Sequence, residues 1–258
     1  MDSLRCIWCN RTEEQVSFSR KAHTIPQSLG GIYICDNVCN KCNSYFGSPH
    51  NSNISIEEVL REAFEITRFH VHDSFKERGK NKKYSRFKSR FFNFNERTNS
   101  VRVKPIYSLR PGFQERMARL FKRGLYKIFL EEYHRQTNQG FDDRYNFIRE
   151  FARFDLNDFP VYYLRQKFPG IFISKEEFDS PSLLFTDHQI GMMQEFGFYE
   201  MRLFSHTFIM PVIRNYQINF DNYIKWSRKK NSDVYDKAIN IIKFTDIDFT
   251  NQVSLPGK

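Results

Sequence analysis

Cys6-Ile7-Trp8-Cys9 and Cys39-Asn40-Lys41-Cys42, with 29 residues between them, decide how the N-terminal part of this chain folds. Each is a Cys-x-x-Cys turn that aims two sulfurs at one point. Four thiolates from two such turns satisfy the tetrahedral preference of zinc and leave no open position. A closed site of this kind is structural, and its binding energy is folding energy. Two knuckles together are far more specific than four scattered core cysteines. Cys35 stands four residues before Cys39. It competes as a ligand, although a buried apolar thiol is the favoured reading.

Between the knuckles runs Ala22-His23-Thr24-Ile25-Pro26-Gln27-Ser28-Leu29-Gly30-Gly31. Val16 and Phe18 alternate with polar neighbours, so 15–25 reads as a strand. Pro26 ends it, and Gly30-Gly31 turns the chain into a short second strand at 32–34. Residues 37–46 suit a short helix, with Gly47 as its stop.

The order Cys-x-x-Cys, His-x-x-Pro-x-x-x-Gly-Gly, Asn-x-Cys-x-x-Cys-Asn, then Gly resembles an HNH endonuclease of the ββα-metal (His-Me finger) group. The resemblance covers about residues 6–47. It implies that Cys6, Cys9, Cys39 and Cys42 hold a structural zinc. It implies that His23 is the general base toward the attacking water, a task suited to an imidazole that is neutral near pH 7. It places Asn43 on the helix as ligand to Mg²⁺ or another divalent ion, which would neutralise charge on the scissile phosphate. Asn37 matches the residue that steadies the loop carrying the base, and Asn40 competes for that role. One departure stands out. Many members carry Asp, Glu or His just before the base as a second metal ligand, and this chain has Ala22. Asp36 and His50 are the nearby residues able to substitute.

The bulk properties agree with a polyanionic partner. The net charge is +10, and 28 Phe with 13 Tyr supply ample material for a core. Such a balance points to nucleic acid first and to an anionic membrane surface second. No apolar run is long enough to span a bilayer, and residues 1–6 lack the apolar core of a signal peptide. Five Cys without a secretion signal argue for reduced thiols, hence metal ligation and a cytoplasmic location. No Gly-rich phosphate loop of the ATPase kind is present.

The charge is concentrated. Residues 76–128 hold 17 Lys or Arg against 3 Glu, a surplus greater than that of the whole chain. Lys82, Lys83, Arg86, Lys88, Arg90, Arg102 and Lys104 are the candidates for phosphate contact, which supplies most non-specific affinity. The interleaved Tyr84, Phe87, Phe91, Phe92 and Phe94 read as core. Residues 98–100 turn a hairpin. Ser55 caps a helix over 56–70 that buries Ile56, Val59, Leu60, Ala63, Phe64 and Ile66. Residues 113–134 form the clearest helix, with Met117, Leu120, Phe121, Leu125, Ile128 and Phe129 on one stripe and Arg116, Arg119, Lys122 and Arg123 on the other side. A further helix is expected over 142–154, strands at 183–185, 196–203 and 207–213, and a last helix over 232–243. The histidines His70, His72, His188 and His206 read as surface or core residues.

The expected architecture is α+β: a zinc-stapled ββα module over 1–54, then a mixed helix and sheet domain with a basic face over 55–258. The expected activity is metal-dependent phosphodiester hydrolysis, of DNA before RNA. HNH modules joined to unfamiliar C-terminal domains resemble components of bacterial restriction and phage-defence systems, and a partner protein of unidentified kind belongs to that picture. The second reading is a non-catalytic, zinc-containing nucleic-acid-binding adaptor with a degenerate site, kept open by Ala22.

Overall fold

A single buried helix, Phe113–Thr137, is the axis on which the other elements pack. The computed structural model describes residues 3–49, 54–65, 89–95, 97–98, 100–166, 181–231 and 235–248. His50, Ile66, His70, His72, Lys82, Lys83, Tyr84, Arg86, Phe87 and Lys88, all named above, lie outside the described residues, as does the C-terminal tail.

In chain order, the N-terminal segment closes into α1 (Asn40–Gly47). Helix α2 occupies 56–65 of the described residues. Strands β1 (Phe92–Asn95) and β2 (Ser100–Val103) form an antiparallel hairpin. A single turn, α3 (Pro105–Ser108), leads into α4 (Phe113–Thr137). Helix α5 (Asn146–Ile148) continues into a π-helical turn, Arg149–Arg153. Strand β3 (Tyr162–Gln166), helix α6 (Asp187–Phe196), strands β4 (Phe198–Leu203) and β5 (His206–Pro211), helix α7 (Gln217–Asn231) and strand β6 (Tyr235–Asn240) complete the chain. The second sheet is antiparallel throughout, in the order β4-β5-β3-β6. The fold is α+β.

Local sequence explains most of this. Ser55 Oγ accepts from Glu58 N at 3.0 Å and starts α2. Ile56, Val59, Leu60, Ala63 and Phe64 of α2 are all buried. A Cβ on Gly124 would stand 2.7 Å from Leu60, so the glycine lets α2 lie directly against α4. Phe91 and Phe92 are core residues.

Three expectations fail. Residues 15–25 and 32–34 do not form strands; a lone bridge, His23 with Ile34, remains. Arg20 N donates to the Asn40 side chain and Ser17 O accepts from Asn40 N instead, and such local partners compete with a ladder. Residues 183–185 are not a strand, because side chains take their carbonyls: Gln136 donates to Leu183 O and Tyr199 to Leu184 O. Residues 235–240 are a strand rather than a helix. Their place is the free edge of β3, where Ala238 faces Leu164 and Ile239 faces Tyr163. Tertiary pairing overrides local helix preference here. Helix α7 was not expected; Tyr223 anchors it by stacking on Phe198 at 4.9 Å.

Cations on the far side of α4 also end differently from the expectation of a phosphate-binding face. Lys122 pairs with Asp158 at 2.8 Å and Arg123 with Asp155 at 3.1 Å, and both are buried. The middle of the helix, residues 121–134, is buried, so these two cations are held against it by carboxylates at the surface.

Candidate active site

The knuckles bring four sulfurs together. The Sγ atoms of Cys6, Cys9, Cys39 and Cys42 all lie within 4.8 Å of one another. Cys9 Sγ and Cys39 Sγ are 3.8 Å apart. Four thiolates about 2.3 Å from a tetrahedral zinc would stand at about that spacing, so the donor set fits the ion. A hydrogen bond with Cys42 draws Cys6 down to about 5, while that bond raises Cys42 and burial lifts Cys9 to about 11. A divalent cation is what lets all four ionise together. Cys35 stays outside the quartet, buried, its thiol pushed up by burial.

The cluster is braced from far along the chain. Arg153 Nε donates to Cys42 Sγ at 3.2 Å. Arg149 Nε donates to Ile7 O at 2.6 Å. Both come from the π-helical turn, whose wider coil carries the two guanidinium groups to one side. Outer contacts of this kind orient ligands and tune their charge.

His23 sits half-buried at the bridge to Ile34, after a segment pinned by α1. Asn40 is the main pin. Its Oδ1 accepts from Arg20 N at 2.9 Å, and its Nδ2 reaches Ser17 and Ser19. Asn37 does different work: its Nδ2 donates to Arg5 O at 3.1 Å, and its carbonyl accepts from Ile7 N, tying the two knuckles together. Two glycines shape the return of the chain. Gly30 has φ +89°, and a Cβ on Gly31 would stand 1.9 Å from Ile25 O. No other residue fits at Gly31.

Asn43 Nδ2 donates to Lys21 O at 3.2 Å, two residues before His23. That acceptor fixes the amide orientation, so the free end is the oxygen. An amide oxygen is a donor of the type that a hard divalent cation takes.

Sequence reasoning missed the third wall. Lys127 of α4, fully buried, donates to His23 O and to Thr24 O. The same ammonium pairs with Glu131 at 3.1 Å and Glu57 at 3.3 Å. Trp8 Nε1 donates to Glu131 Oε1 at 2.9 Å, which joins the first knuckle to the same network. Thr24 Oγ1 donates to Glu132, also buried. Burial lifts Glu131 to about 7 against the pull of Lys127. Burial alone would lower Lys127, but the two carboxylates outweigh it and hold the lysine protonated. The signal was present in the sequence as charged residues on the apolar side of a helix.

His23 has its pKa lowered. Burial is the larger cause and the Lys127 charge the second, partly offset by Glu57 and by the Gly31 backbone. Among the candidates for phosphate contact, Arg90 pairs with Glu58 at 2.9 Å and Lys104 Nζ donates to Ser89 O at 2.7 Å. Arg102 is exposed on β2, opposite Asn93.

No curated protein and no solved structure matches this chain. Residues 6–57, the segment that holds the sulfur cluster, His23 and Asn43, match the family model described as HNH endonuclease.

Proposed function

We propose that the protein is a metal-dependent endonuclease that hydrolyses phosphodiester bonds, with DNA as its substrate. The observation that carries this reading is the convergence on His23. The imidazole is kept neutral, its backbone is gripped from α4 by Lys127, and the strand-like segment before it is gripped from α1 by Asn40 and Asn43. A base needs this fixed geometry more than it needs an unusual pKa.

In the reaction, a water beside His23 gives its proton to the imidazole as it attacks phosphorus. The Asn43 amide oxygen would hold the divalent ion. When bound, that ion supplies neutralisation of charge on the phosphate and the leaving oxygen. The four-cysteine zinc stays out of the chemistry and keeps α1 in register with His23. Arg90, Arg102 and Lys104, with Lys82, Lys83, Arg86 and Lys88, are proposed to hold the polyanion by its phosphates, a salt-dependent attraction. Restriction or defence against foreign DNA, alongside a partner protein, is the setting that such an enzyme fits.

The test is cleavage of plasmid DNA and of RNA by wild type and His23→Ala, with Mg²⁺, with Mn²⁺ and with EDTA. Cleavage by the wild type only with divalent ion, reduced at least 100-fold in the variant, is the expected result. Cleavage unchanged by His23→Ala sinks the catalytic assignment. Buried Ala22 favours one alternative, an adaptor without catalysis. Salt-dependent DNA binding with no cleavage under any ion is its signature.

A further inference from the structure

Ala22 leaves the proposed ion without an acidic ligand on the base side, and an amide oxygen is a weak anchor for Mg²⁺ alone. One carboxylate stands against the helix that carries Asn43. Glu57 lies in the first turn of α2, and its side chain is 26% exposed. Its two oxygens have different surroundings. Oε1 is 3.3 Å from Lys127 Nζ, the ammonium that also holds the His23 carbonyl. Oε2 is turned toward α1, where a Cβ built on Gly47 would stand 3.4 Å from it.

Gly47 is four residues after Asn43 on α1, and residues at that spacing are neighbours on one helix face. A side chain at 47 would fill the space that the Glu57 carboxylate takes. The glycine therefore admits an acidic group, supplied by α2, one turn along from the Asn43 amide. Among the described residues, Glu57 makes one ion pair, and that pair uses Oε1. Lys127 orients the carboxylate as outer partners orient metal ligands. The other two candidates fit less well. Asp36 is exposed beside the second knuckle, and His50 lies outside the described residues.

We propose that Glu57 replaces the acid missing at position 22, joining Asn43 as the charged protein ligand of the catalytic divalent ion. The inference rests on the hydrolytic reading. One carboxylate, one amide oxygen and water make a hard, all-oxygen set of the kind Mg²⁺ and Mn²⁺ take.

The test is Mn²⁺ titration of the full chain, prepared with its zinc, with free Mn²⁺ followed by electron paramagnetic resonance. Wild type, Glu57→Gln and Asn43→Ala are compared, with zinc content and thermal melt measured on each. Both variants should bind Mn²⁺ at least tenfold more weakly at unchanged zinc content. Wild-type affinity in Glu57→Gln, with the site lost in Asn43→Ala, overturns the role of Glu57 and leaves the hydrolytic reading intact. No Mn²⁺ bound by the wild type overturns both. If Glu57→Gln melts early, Glu57→Asp keeps the charge beside Lys127. Its cleavage should then recover as Mn²⁺ is raised, and a deficit that persists at saturating Mn²⁺ overturns the proposal.

Discussion

At the residue scale, buried charge is the distinctive feature. Lys127 is matched by Glu131 and Glu57 and by the carbonyls of His23 and Thr24. Removing one member of such a set leaves the other charges buried without a counter-ion, at a cost of about 3–5 kcal/mol. Lys127→Met should lose about that much in denaturant unfolding, and Lys127→Met/Glu131→Gln should recover part of it. His23 gives a second expectation. Its lowered pKa means that the neutral base persists below the ordinary histidine value. The cleavage rate should fall on acidification through a pKa below 6.5, measurable from a pH–rate profile. His206 gives a third. Burial among Phe64, Tyr163 and Phe208 lowers it to about 3. The unfolded chain therefore binds the extra proton first, so this contribution is intact above about pH 6.5 and is lost as pH falls toward 3. The stability difference between wild type and His206→Phe should rise with pH over that window, by up to about 1.4 kcal/mol per unit, and be flat above it.

At the scale of elements, two glycines predict opposite outcomes. Gly31→Ala drives a methyl into Ile25 O, so it should unfold the turn that follows His23 and abolish cleavage. Gly191 lies inside α6 with nothing near its missing side chain. Gly191→Ala should stabilise by about 0.5–1 kcal/mol, read from thermal melts. The elements also show what could be read from sequence. The knuckles, the α2 cap at Ser55 and the apolar stripe of α4 were legible because each rests on local spacing. The roles proposed for His23 and Asn43 rest on their places in the same short motif. The hairpin strands were not, because Asn40 takes Arg20 N with its side chain and Ser17 O with its own N–H, two groups that a ladder would have used. Strand β6 was not, because its partner β3 lies about 75 residues earlier and decides its conformation. Lys127 and Glu57 reach the base only through packing, which no local period reveals.

At the scale of the whole molecule, one hydrophobic cluster runs from Cys6 to Ile247. The knuckles are part of it and are bolted to the C-terminal half by Arg149, Arg153 and the Trp8–Glu131 bond. Chelation of the zinc, or Cys39→Ser, should therefore unfold the chain in one cooperative transition rather than melt the N-terminal segment alone. Calorimetry with and without chelator checks this, and two separated transitions would contradict it. The Lys127 grip on His23 spans 104 residues of sequence. During synthesis at about 5–20 residues per second, the histidine leaves the ribosome roughly 5–20 s before the lysine that fixes it. A nascent chain thus carries both ends of the first knuckle and His23 while the lysine that grips His23 is still unmade. On the proposed hydrolytic reading, the site therefore stays unassembled beside the messenger until the middle helix has been made.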